Sequence, residues 1–94
     1  MHIERKKRVE VARAFGRAVR RLRKQNTGKS QERFARDAGI DRTFQSALER
    51  GIRLPTLSTI LKVASGLKIS PHYLVKVAVY ELFRRQKTEK SQTK

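Results

Sequence analysis

No cysteine occurs anywhere in the chain, which excludes disulfides and thiolate metal sites and suits a reducing compartment. No run of about 18 apolar residues occurs either, so nothing reads as a membrane-spanning helix. The opening MHIERKKRVE lacks the apolar stretch of a signal peptide. A cytoplasmic location is therefore expected. His2 and His72 stand too far apart in sequence to suggest a metal site, and no nucleophile or acid–base constellation is visible. The expectation is a protein with no metal, no cofactor and no catalytic activity. Acidic residues are scarce as well: 8 Asp and Glu stand against 24 Lys and Arg, a formal net charge of +16. A surplus of that size suits a polyanionic partner or an anionic membrane surface.

What is present reads as helices. At 94 residues the chain suffices for one domain with one modest core. Val9, Ala12, Phe15, Val19 and Leu22 recur at helical spacing and predict a first helix over residues 6–25, with Arg13, Arg17, Arg20, Arg21 and Lys24 on its other faces. Asn26 and Gly28 are stop signals, and Ser30 caps a short helix over 31–38 that buries Phe34, Ala35 and Ala38. Gly39 supplies a turn, and Asp41 caps a third helix over 42–50, ended by Gly51. After the loop around Pro55, Thr56 caps a fourth helix over 57–65 with Leu57, Ile60, Leu61 and Ala64 inward and Gly66 as its stop. Ser70 and Pro71 open a fifth helix to residue 86. The class is all-α. A basic arm (1–8), a helical domain (9–86) and a disordered polar tail (87–94) are expected.

Residues 31–48 carry the specific signal. Counted from Gln31, Phe34 falls fourth, Ala35 fifth, Ala38 eighth, Gly39 ninth, Ile40 tenth and Leu48 eighteenth. Two short helices that meet steeply need a small residue at their crossing and glycine in their turn, here Ala35 and Gly39. The pattern, with SQERFA, DRTFQSALERG, PTLSTILKVASGL and SPHYL around it, resembles the helix-turn-helix of the lambda-repressor-like, Cro-type (XRE) regulators. Within that family, DRTF followed by ALERG and PTL is similar to the controller proteins of restriction–modification systems. Three departures stand out. Gln45 occupies a usually aliphatic position, so either its amide is bonded inside or Phe44 fills the space. Arg33 stands where a capping box has Glu or Gln. KQNTGK is one residue longer than usual, with Lys29 at a commonly apolar place.

The resemblance implies a five-helix fold and a third helix that enters the major groove by its N-terminal residues. Arg42, Thr43, Ser46 and Ala47 are then the candidate base contacts, Arg42 foremost, because a guanidinium can bond O6 and N7 of guanine together. Gln31, Ser30, Arg50 and Arg53 are the candidate phosphate contacts; the family uses the glutamine matching Gln31 in this way. Arg5, Lys6, Lys7 and Arg8 form either an arm toward the DNA or a solvated helix end. The family's ion pair between first and third helices implies Glu49 with Arg23, or with Arg20.

The fifth helix is more apolar than one buried stripe requires. Leu67, Ile69, Tyr73 and Leu74 suffice to close the core, yet Val75, Val77, Ala78, Val79, Tyr80, Leu82 and Phe83 follow. Either Val75, Val79, Leu82 and Phe83 form a homodimer interface, or these residues fold back on the first helix. The expected function is a sequence-specific, double-stranded-DNA-binding transcriptional regulator, a repressor or autoregulator, acting as a homodimer on an inverted-repeat operator. The alternative is an antitoxin that binds a toxin and its own operator, although a short polar tail offers little for a toxin to hold. A membrane-surface helix is disfavoured, since the first helix lacks Trp and its apolar residues are needed in the core.

Overall fold

The computed structural model describes the backbone of residues 4–92 and the side chains of residues 4–84. Five α-helices follow one another with no strand among the described residues: α1 (Arg5–Leu22), α2 (Gln31–Ala38), α3 (Arg42–Glu49), α4 (Leu57–Leu67) and α5 (Pro71–Gln92). The expected all-α, five-helix arrangement is the one found.

The extra residue in KQNTGK is absorbed by winding. Beyond Leu22, α1 passes into one π-helical turn, Arg23–Thr27, closed by a 3.1 Å bond from the Gly28 N–H to the Arg23 carbonyl. A π turn holds one more residue than an α turn, so the insertion is taken up without a longer loop. Thr27 locks the exit: its hydroxyl donates to the Arg23 carbonyl at 2.6 Å and accepts from the Lys29 N–H at 3.0 Å.

The core gathers Phe15, Val19 and Leu22 of α1, Phe34 of α2, Leu48 of α3, Val63, Ala64 and Leu67 of α4, and Leu74 and Val77 of α5. Val9, at the outer end of the expected stripe, stays exposed, whereas Ala12, Ala14, Gly16 and Ala18 are buried. Small residues line α1 because it is covered from two sides, by α3 and by α5. At Gly16 the crossing is a backbone contact. A Cβ there would overlap the Leu48 carbonyl oxygen and stand 2.7 Å from that of Glu49.

Further expectations are corrected. In α4, Leu57 (72% exposed) and Leu61 (50%) face outward; Thr59, Val63, Ala64 and Leu67 are buried and Ile60 is half-buried. The helix is apolar on two adjoining faces, and the positions of α2 and α5 choose between them. Gly66 does not stop α4. The helix continues to Leu67 and caps on Lys68 in the left-handed region (φ 61°), while Gly66 makes room for the Phe34 ring and Ala38. Arg5–Arg8 are the first turns of α1 rather than an arm; Met1, His2 and Ile3 lie outside the described residues. The tail does not begin at residue 87, because α5 runs to Gln92 through a stretch without Gly or Pro; residues 93 and 94 lie outside the described residues.

Along α5, Leu74 and Val77 face the core, while Tyr73, expected there, is about half exposed. The seam between α1 and α5 then turns ionic. The buried Glu81 carboxylate meets Arg21 at 3.1 Å, Arg84 at 3.2 Å and Arg17 at 3.5 Å. The surplus apolar residues divide: Ala78 and Leu82 are half-buried, and Val75, Val79, Tyr80 and Phe83 are exposed.

Candidate nucleic-acid interface

Local chemistry sets the two short helices. The Ser30 hydroxyl accepts from the Arg33 N–H at 3.2 Å, and the Asp41 carboxylate accepts from the Phe44 N–H at 3.2 Å. Each satisfies one of the N–H groups that a helix start leaves unpaired. Between the helices Gly39 takes φ 73°, and the chain folds back so that the Ile40 N–H reaches the Ala35 carbonyl at 2.8 Å. Such a left-handed C-cap ends α2 and releases the chain at once in a new direction.

Glu49 holds α3 in place. One carboxylate oxygen accepts from Arg23 Nε at 2.7 Å and Gln45 Nε2 at 2.8 Å; the other accepts from Arg23 Nη2 and Gln31 Nε2, both at 2.9 Å. Arg23 Nη1 donates to the Lys29 carbonyl at 2.7 Å. One buried carboxylate thus joins the π turn, α2 and α3. Burial works to raise the Glu49 pKa, but the hydrogen bonds from Arg23, Gln31 and Gln45 and the Arg23 charge overcome it. The carboxyl sits below its ordinary 4.5. Of the two arginines offered by the resemblance, Arg23 is the partner, and Arg20 is exposed to solvent.

The opposite face of α3 is open. Arg42 and Thr43, at its first two positions, are exposed, and Ser46 and Ala47 one turn on are half-buried. Arg42 lies 3.7 Å from Glu32, with both side chains two-thirds exposed, a pairing too loose to hold the guanidinium. Ser30, Arg50 and Arg53 are exposed as well. Gln31 differs from the expectation in one respect. It is half-buried, and its amide nitrogen is engaged by Glu49 rather than free at the surface.

Of two further buried polar residues, the sequence flagged Gln45 and missed Glu81. Gln45 is fully buried, bonded to Glu49 one turn on, and Phe44 beside it packs half-buried against the core, so both ways of accommodating Gln45 occur together. The i, i+4 spacing of Gln45 and Glu49 was the available signal. Glu81 had none, because its partners Arg17 and Arg21 lie 60 or more residues away in sequence.

The Helix-turn-helix family model (HTH_3) matches residues 19–74, more than half of the chain. The chain belongs to this helix-turn-helix family. The matched segment contains the Arg23–Glu49 network and all of α3. Control protein C.MunI of Mycoplasma sp is 41% identical to this helix-turn-helix protein over 56 residues, which are 60% of this chain and 76% of C.MunI. The crystal structure of the restriction–modification controller protein C.AhdI from Aeromonas hydrophila superposes with a TM-score of 0.64 at 41% identity, covering 67% of this chain and 94% of C.AhdI. The controller protein C.Esp1396I, crystallised as a tetramer on its natural 35 base-pair operator, shares the fold with a TM-score of 0.69 at 23% identity, covering 78% of this chain and 95% of its own.

Proposed function

We propose that this chain is a sequence-specific, double-stranded-DNA-binding transcriptional regulator of the controller type, a repressor or autoregulator of the cytoplasm that acts as a homodimer on an inverted-repeat operator. The observation that carries the reading is α3 itself. Its inner face is tied down through Glu49, which accepts three hydrogen bonds from Arg23 and Gln31 outside the helix, and its outer face offers Arg42, Thr43, Ser46 and Ala47 together. A helix held rigidly on one side, with small and donor-bearing residues on the other, suits close entry into a major groove. Arg50 and Arg53 then suit the flanking phosphates. Operator binding by C.Esp1396I, a protein of the same fold, supports the same reading.

Selection from random duplex DNA tests it, with an inverted-repeat consensus expected. A dimer neutralising roughly eight phosphates should lose affinity with a log–log salt slope near −7. Equal affinity for every duplex at moderate salt would exclude sequence-specific regulation. On the selected site, Arg42→Ala should cost about 1–3 kcal/mol and relax the preference at one base pair. Arg53→Ala should weaken all sequences alike. A uniform loss for Arg42→Ala would make Arg42 a phosphate contact.

The dimer surface belongs to the same reading. Val75, Val79 and Phe83 recur at i, i+4 and i+8 on α5, all exposed, with Phe83 at 61%. Leu82, half-buried, lies at the margin of this stripe. A two-fold contact along it would cover the exposed apolar area and space two recognition helices along one DNA face. Val79→Asp combined with Phe83→Asp should leave the fold intact, halve the mass seen in sedimentation and weaken operator binding. A folded double variant of unchanged mass would place the interface elsewhere.

A further inference from the structure

The loop after α3 is pressed against α1 at one point. Gly51 takes φ +74°, and a Cβ there would stand 2.7 Å from Arg13 Cγ and 2.8 Å from Arg13 Cα. A residue with a side chain would be strained in the left-handed region and would push α1 away. The loop is fixed from its other side too, since the Gly51 N–H bonds the Leu48 carbonyl at 3.1 Å and the Ile52 N–H bonds the Ala47 carbonyl at 3.0 Å. One turn further along α1, Gly16 rests on the Leu48 and Glu49 carbonyls. The backbone of α1 is therefore held at two neighbouring points, Arg13 against the loop and Gly16 against the C-terminal end of α3. Gly51 is preceded by Arg50 and followed two residues on by Arg53. All three arginines are exposed, and none is paired with a carboxylate among the described residues.

Three unpaired guanidinium groups on two rigid elements concentrate positive charge beside the recognition helix. Ordinary surface design intersperses acids among such groups; the stretch 50–80 that carries Arg50 and Arg53 has none, and Glu10 is the one acid within a turn of Arg13 on α1. We infer that Arg13 is a further phosphate-contacting residue, which extends the Arg50–Arg53 pair onto α1 so that two elements grip the DNA backbone. The inference rests on the DNA-binding reading above. Gly51 is the residue that makes it possible, because only its missing side chain brings Arg13 to the loop. The backbone and the base of the Arg13 stem are fixed in this way, so its exposed charge is presented beside the loop.

The test is a salt series of binding to the selected operator and to a shuffled duplex, with wild type, Arg13→Gln, Arg13→Lys and Lys62→Gln. Lys62 is an exposed lysine on α4 and serves as the charge-matched control. Arg13→Gln keeps the stem that packs on Gly51, and thermal melts should match wild type. Its log–log salt slope should become less negative by about 0.9 per protomer bound, with an equal loss on both duplexes. Arg13→Lys should retain the wild-type slope, and Lys62→Gln should leave it unchanged. A slope for Arg13→Gln equal to wild type overturns the inference while leaving the regulator reading standing. So does a changed base preference, which would make Arg13 a base-reading residue. A wild-type protein that binds no duplex overturns both.

Discussion

Glu49→Ala is expected to destabilise the protein by about 3–5 kcal/mol, because it strips a buried arginine of its counter-charge. Arg23 and Glu49 are both almost wholly enclosed, at 6% and 7% exposure. Removing the carboxylate leaves Arg23 Nε and Nη2, and the amides of Gln31 and Gln45, without the acceptor each now uses. A domain of this size has roughly 5–15 kcal/mol in total, so the variant should be near the edge of folding. Urea unfolding at neutral pH measures the effect, and a loss below about 1 kcal/mol would mean that water enters and replaces the carboxylate. The pH dependence follows with a definite sign. The folded Glu49 carboxyl lies below its ordinary 4.5, so its stabilisation is present above that value and is lost as pH falls through the lower folded pKa. Glu49→Gln should accordingly flatten the acid limb of the stability curve below pH 4.5. An acid limb unchanged by Glu49→Gln would assign it to other carboxylates.

Gly16→Ala should also destabilise, with a sign opposite to the usual one. In an ordinary helix interior, alanine in place of glycine stabilises by about 1 kcal/mol. Here the new methyl meets the Leu48 and Glu49 carbonyls, which are backbone atoms of α3 and cannot rotate away. Overpacking of this kind costs about 1–3 kcal/mol, occasionally more, so a net loss near 2 kcal/mol is expected. The strain bears directly on α3, and operator affinity should fall at temperatures where the variant is still folded. Calorimetric melting beside binding titrations separates the two effects. A more stable Gly16→Ala protein would refute the close α1–α3 approach.

The local rules were legible because they act over three or four residues. Ser30, Asp41, Thr56 and Ser70 each accept a hydrogen bond from the N–H three positions on, as their place before an apolar helical stretch implies. Gly39 turns the chain for the same local reason. The exposed start of α3, with Arg42 and Thr43, follows once those caps fix the phase of the helix and Leu48 fixes its inner face. The inward position of Arg23 needed more. The family resemblance brought it forward beside Arg20, and the π turn beginning at Arg23 decided between them.

What the tertiary structure alone decided lies where the sequence is ambiguous within one turn or depends on distant neighbours. LSTILKVASGL is apolar on two faces of α4, so helical periodicity cannot tell Leu57 and Leu61 from Val63 and Leu67; the packing of α2 and α5 selects the second pair. Gly66 looks like a helix stop, yet the Phe34 ring presses on it from α2. Glu81 is buried because Arg17 and Arg21 meet it from α1, and Gly51 matters because Arg13 lies beneath it. Gly66 and Phe34 are 32 positions apart in sequence, Gly51 and Arg13 are 38 apart, and Glu81 and Arg21 are 60 apart. Local propensity and spacing carry no information over such distances, since only the packed chain brings such groups within contact range.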